Sequence, residues 1–241
     1  MRTRFREHQG SEDMRLTFVW QDCVVVGSNG SNLITNPCFP STQKAVSLDD
    51  LPRLDGIIVT HPGVDTLSWQ VLEPVRRTIP VVCPRGTEKR LKKRGFVNVY
   101  EVQPGRAFKI GDTRVVTLPS KHTRESFGVL FSSAKNVYFA GPTLLFEKMA
   151  AIGNTYEIDL ALLPVGGRIR GGRSVMDPDE AADAAARLKA KSAVPIHWHP
   201  TRIGENEVRP PGTPEEFQKA VRERKLRTRV RVLRPSDAII I

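Results

Sequence analysis

From Leu54 the chain reads L-D-G-I-I-V and then T-H-P-G-V-D-T, so a short β-branched run ends on a loop that carries His61 and Asp65. An apolar run of this length between turn residues has the pattern of a buried strand. Residues 68–77 behind the loop have the pattern of a helix. Strand, polar loop and helix in that order form the unit of α/β architectures, where ligands gather beyond the carboxyl ends of strands. Taken alone, the loop also suits a plain capping turn, with Asp65 or Thr66 as the cap. Other strand ends separate the two readings. Later apolar runs finish at Ser120-Lys121-His122, at Gly141-Pro142-Thr143 and at Ile196-His197-Trp198-His199. Four of the five histidines therefore stand in such loops or strand ends, which a capping turn does not explain.

The rest of the chain fills in around these loops. Residues 15–20, 23–27 and 32–35 read as three short strands, with Gly27-Ser28-Asn29-Gly30-Ser31 as the turn between the second and third. Further strands are expected at 81–84, 97–102, 107–110, 114–118, 127–132, 136–140, 158–163, 193–197, 230–233 and 238–241, and helices at 87–94 and 144–152. Asp177-Pro178-Asp179-Glu180 and Thr213-Pro214-Glu215-Glu216 are capping boxes with proline at the first helical position, so each opens a helix. Residues 1–13 are polar and aperiodic and are expected to be a disordered extension, with Met14 as an alternative start. Residues 14–241 are expected to form one domain, a size that supports a proper core. No tandem repeat is visible.

This ordered set resembles the metallo-β-lactamase superfamily. The branch it is most similar to holds L-ascorbate 6-phosphate lactonase and N-acylphosphatidylethanolamine phospholipase D. T-H-P-G-V-D-T stands against the family's T-H-x-H-x-D-H, and Phe139-Ala140-Gly141-Pro142-Thr143 against F-A-G-D-T. Residues 159–166 and 194–198 look like that branch almost letter for letter. The resemblance implies an α+β fold, a four-layer αββα sandwich of two mixed sheets. It also implies that His61, Asp65, His122 and His197 are the surviving metal ligands, with Asp65 a candidate catalytic base. Three ligand positions are held by Gly63, Thr66 and Pro142, the last in place of a bridging aspartate. Gln21 and Asn36 replace a histidine and a carboxylate, and neither titrates near neutrality. Val175 stands where the branch has another histidine.

Two strong ligands per ion fall short of the three that catalytic zinc commonly takes from protein. The expectation is therefore no dinuclear centre, and either no metal or a single zinc or other divalent ion at low occupancy. His199 is a further candidate ligand, because strand alternation would put it on the same face as His197. The loop Gly166-Gly167-Arg168-Ile169-Arg170-Gly171-Gly172-Arg173 offers Arg168, Arg170 and Arg173 to a small anion, since guanidinium holds phosphate or carboxylate in a fork.

Composition bounds the function classes. Lys plus Arg number 37 and Asp plus Glu 26, a net charge of +11 that can attract phosphorylated ligands or nucleic acid. Along the sequence there is no interleaving of arginine with aromatic residues of the kind that binds single strands. No apolar run approaches a membrane span, and three cysteines without a C-x-x-C pair read as free thiols of a reducing cytoplasm. Three readings follow in order. The first is a hydrolase homologue with an eroded two-metal site that binds a small anionic ligand. The second is a single-metal hydrolase of a phosphodiester, ester or lactone. The third is a nucleic-acid-binding module.

Overall fold

The structure is a computed structural model that describes residues 13–39, 51–63, 67–122, 124–168, 175–203 and 206–241. Residues 1–12 of the expected extension lie outside the described residues, as do Asp65, Thr66, Arg170 and Arg173.

Two seven-stranded sheets are built on one plan. In the first, β1 (Met14–Trp20), β2 (Cys23–Ser28) and β3 (Ser31–Thr35) form an antiparallel meander, and β4 (Gly56–Ile58), β5 (Val81–Cys83) and β6 (Val99–Glu101) add in parallel beyond β3. In the second, β7 (Ala107–Ile110), β8 (Thr113–Leu118), β9 (Gly128–Ser132) and β10 (Asn136–Phe139) are antiparallel, and β11 (Leu160–Pro164) and β12 (Ser192–Ile196) add in parallel. A hairpin of β13 (Thr201–Ile203) and β14 (Asn206–Val208) follows β12. Its short segments lack an apolar alternation, which is why the sequence pattern does not reveal it. Finally β15 (Arg229–Val230) runs parallel beside β12, and β16 (Ala238–Ile240) returns antiparallel to β1.

Parallel neighbours need crossover connections. Those connections hold α1 (Trp69–Leu72), α2 (Glu88–Lys92), α3 (Lys148–Thr155), α4 (Pro178–Arg187) and α5 (Pro214–Glu223). The side-chain period of two then sorts the core into layers. Met14, Leu16 and Phe18 of β1 meet Leu160 and Leu162 of β11 between the sheets. Ala161 and Leu163 of β11 face α3, α4 and α5 instead, through Met149, Ala181, Ala185 and Phe217. Cys23 and Val25 of β2 face the other way, towards Val71 of α1 and Leu91 of α2. The result is the expected αββα sandwich.

Both capping boxes are present: Asp177 accepts from the Glu180 backbone N–H at 2.8 Å, and Thr213 from that of Glu216 at 3.2 Å. Two helices depart from expectation. α1 stops at Leu72 rather than running to residue 77, because Pro74 lacks the N–H that would continue the ladder. α3 begins at Lys148 rather than near Leu144. The Leu144 carbonyl, which a helix would pair four residues on, accepts instead from the Thr143 hydroxyl at 2.9 Å, and the Leu144 N–H donates to the Lys121 carbonyl at 2.9 Å in the loop of His122.

Candidate active site

Parallel strands put their carboxyl ends on one edge, and the polar loops leave from there. His61 follows β4, and a hydrogen-bonded network of buried side chains fixes it. The Asn36 side chain, just beyond β3, donates to Asp22 Oδ2 at 3.1 Å and to Thr60 Oγ1 at 2.9 Å, and accepts from the Thr60 backbone N–H at 2.8 Å. Thr60 Oγ1 lies 3.3 Å from His61 Nδ1. A hydroxyl on Nδ1 leaves Nε2 as the ring nitrogen for other partners. Asp22, Asn36, Thr60 and His61 are all buried.

His122 follows β8 and comes to His61 with an edge-to-face geometry, the ring centroids 5.8 Å apart. Burial, and then the nearby Arg124 guanidinium, lower its pKa below the usual imidazole range. Its Nδ1 accepts the Arg124 backbone N–H at 3.3 Å, and Arg124 Nη1 donates to the Pro62 carbonyl at 3.4 Å. Arg124 therefore ties the two histidine loops together and sets a permanent cation beside them. Its position two residues past His122 was the only cue in the sequence, and that cue is too weak to single it out. Thr143 Oγ1 fastens the loop after β10 to the same place, accepting the Lys121 backbone N–H at 2.9 Å.

His197 follows β12 with a left-handed backbone, φ 64°. Its N–H donates to the Gln21 carbonyl at 3.3 Å. The Gln21 side chain grips the next turn from both sides, donating to the His199 carbonyl at 2.6 Å and accepting the His199 N–H at 3.2 Å. The left-handed residue ends the strand alternation, so His199 does not share the face of His197. Its imidazole is instead packed among Trp198, Trp20 and Phe18, with centroid separations of 3.8, 4.3 and 5.7 Å. Burial lowers its pKa to about 4, and its Nε2 has no hydrogen-bond partner among the described residues. β11 and β12 approach so closely here that Gly166 packs against the His197 main chain.

Of the other expected site residues, Gly63 and Pro142 are buried. Val175 is buried too and donates its N–H to the Gly167 carbonyl at 3.3 Å, closing the base of the Gly/Arg loop. Arg168 is exposed and pairs with Glu180 of the α4 capping box at 3.4 Å. Among the described residues, no three or more of His, Cys, Asp and Glu gather in a group that could hold a metal ion. No helix among them is long and apolar enough to cross a membrane.

Residues 31–198, which include every strand end just described, match the family described as the beta-lactamase superfamily domain. The chain belongs to the metallo-β-lactamase superfamily. Its similarity to other superfamily proteins extends over most of its length. It is 32% identical over 197 residues to a UPF0173 metal-dependent hydrolase of Nitratidesulfovibrio vulgaris, covering 76% of this chain and 80% of the relative. It is 29% identical over 226 residues to one from Rubrobacter xylanophilus, covering 87% and 89%. The fold matches that of Igni18, a metallo hydrolase from the hyperthermophilic archaeon Ignicoccus hospitalis, with a TM-score of 0.79 at 22% identity over 95% of this chain and 98% of that one. It also matches an isothiocyanate hydrolase from Delia radicum gut bacteria, with a TM-score of 0.75 at 15% identity over 94% and 98%. The chain is thus a homologue of metallo-β-lactamase-fold hydrolases.

Proposed function

We propose that this superfamily member has an eroded dinuclear site, lacks conventional two-metal hydrolase activity, and binds a small anionic ligand at the shared strand edge. Pro142 carries the proposal. It stands at the end of β10, where the superfamily pattern supplies the carboxylate that bridges two cations, and its side chain has no donor atom. Without a bridging negative charge, two divalent ions repel each other with little between them to offset it. Gly63 likewise offers nothing, and the Thr66 hydroxyl is a poor zinc ligand beside imidazole or carboxylate. The donor set does not fit two ions. Arg124 supports the anionic ligand, because its guanidinium lies beside His61 and His122 where a positive charge is otherwise missing.

One observation favours a second reading, a single-metal hydrolase of an ester, lactone or phosphodiester. The 5.8 Å between the His61 and His122 rings is close to what two imidazoles on one tetrahedral ion need, given Zn–N bonds of about 2 Å. The relatives' names as metal-dependent hydrolases point the same way. In that reading His61 and His122 hold the ion with Asp65 or His197, and the metal supplies a nucleophile by acidifying bound water.

Metal analysis of protein purified without chelator, then dialysed against zinc and freed of excess, separates the readings. The eroded site predicts well under one zinc per chain. One tightly held ion supports the single-metal hydrolase, and two refute the proposal.

A further inference from the structure

The helical layer over the first sheet carries a concentration of charge that the strand-edge site does not use. Residues 76–94 contain eight Lys and Arg against one acid, Glu88, a net of +7 within a chain whose total is +11. Most of these side chains are exposed. Some are already engaged. Arg77 donates to the Leu72 carbonyl at 2.6 Å and lies 4.6 Å over the Phe96 ring, which locks the end of α1 against the turn after α2. Lys92 pairs with Glu88, and Arg76 reaches Asp55 at 3.9 Å. Lys89, Arg90, Lys93 and Arg94 have no carboxylate partner among the described residues.

Arg90 and Arg94 are held by an aromatic ring instead. Their guanidinium carbons lie 5.1 and 4.6 Å from the centroid of half-buried Trp69 at the start of α1. Cation–π packing uses the face of a guanidinium and leaves its N–H edge for an acceptor. Arg90 lies on α2 and Arg94 in the turn after it, so two segments bring their forks to one ring. The chain therefore does interleave arginine with an aromatic residue, in space rather than in sequence, because Trp69 is 21 and 25 positions from its partners.

We infer that the face formed by Trp69, Lys89, Arg90, Lys93 and Arg94 binds the phosphate backbone of single-stranded RNA. Charge complementarity selects a polyanion. The guanidinium forks, pre-ordered on Trp69, suit phosphate oxygens and lose little freedom on binding. A duplex groove calls for a longer reading element than a helix of one turn and a half. A lipid surface would call for apolar side chains free to insert, yet Trp69 is half-buried and covered by its two arginines, and Leu91, the one apolar residue of α2, is fully buried in the core. This inference stands apart from the state of the metal site.

The test is fluorescence anisotropy with a fluorescein-labelled oligouridine of about a dozen nucleotides, a length comparable to single-strand binding sites, titrated across a salt series. Lys89→Gln/Arg90→Gln/Lys93→Gln/Arg94→Gln changes only exposed side chains. It should weaken binding at least tenfold. It should also flatten the dependence of log affinity on log salt by about 3, at ~0.7 per phosphate contact on a single strand. The control Arg222→Gln/Lys225→Gln/Arg227→Gln/Arg229→Gln removes the same charge from exposed positions of α5 and beyond and should keep most of the affinity and slope. Equal losses in both variants would reduce the effect to net charge and overturn the site. No binding by the unmodified protein, or binding to phosphatidylserine vesicles without binding to the RNA, would overturn it as well.

Discussion

A Cβ placed on Gly166 would fall inside the van der Waals envelope of the His197 carbonyl oxygen. Main-chain atoms cannot swing aside as a flexible side chain does, so Gly166→Ala has to separate β11 from β12 at their carboxyl ends. We expect a loss of about 1–3 kcal/mol, the usual scale of overpacking, measurable by urea denaturation. Gly30→Ala is a useful comparison. No atom stands within 4 Å of its Cβ position, so any effect comes from its left-handed backbone alone. A Gly166→Ala protein as stable as the parent would show that the two strand ends have room to part.

Asn36→Ala should be costly for a different reason. It removes the partners of the buried Thr60 backbone N–H and one of those of Asp22. Leaving such groups short of partners costs about 1–3 kcal/mol each. Because Thr60 positions His61, the variant should also broaden or shift the His61 ring resonances in proton–nitrogen NMR while leaving those of His199 in place. A stable variant with an unchanged His61 spectrum would remove the network from any role at the site.

His199 makes stability depend on pH. Its folded pKa, about 4, lies below the ordinary value of 6.5. Between those values the unfolded chain binds the proton and the folded one does not, so stability falls as pH drops from about 6.5 towards 4. The full effect is on the order of 3 kcal/mol at 1.36 kcal/mol per unit. His199→Phe keeps the stack with Trp20 and Trp198 and has nothing to titrate, so its unfolding midpoint should vary less between pH 7 and pH 5. Identical pH profiles for the two proteins would count against this account.

Gly63→His/Thr66→His/Pro142→Asp restores the missing donors of the superfamily pattern. The triple variant should retain more zinc after dialysis than the natural chain, and Pro142→Asp alone should gain less. Failure of the triple variant to gain metal would mean that more than donor atoms has been lost.

Strand ends were the most legible part of this chain. β-Branched runs bounded by turn residues announced nearly every strand, and the capping boxes at Asp177 and Thr213 gave the first residues of α4 and α5. What sequence pattern missed depended on contacts across long separations. Leu144 reads as the start of a helix until Thr143 and Leu144 are both seen tied to the backbone of Lys121. His199 reads as a neighbour of His197 until a single left-handed residue turns the chain. Arg90 and Arg94 read as part of a solvated charge run until Trp69 is placed beneath them.

The grip of Gln21 on His199, of Asn36 on Thr60 and of Thr143 on Lys121 has a consequence for descent. In a binding site shaped by its ion, each lost ligand loosens the loops, and selection on folding alone guards the ligands. Here amides and hydroxyls hold the loops closed from within the protein. Residues such as Gly63 and Pro142 can then be exchanged without unfolding the chain. A scaffold braced in this way can change its chemistry, or lose it, while natural selection on the fold takes no notice.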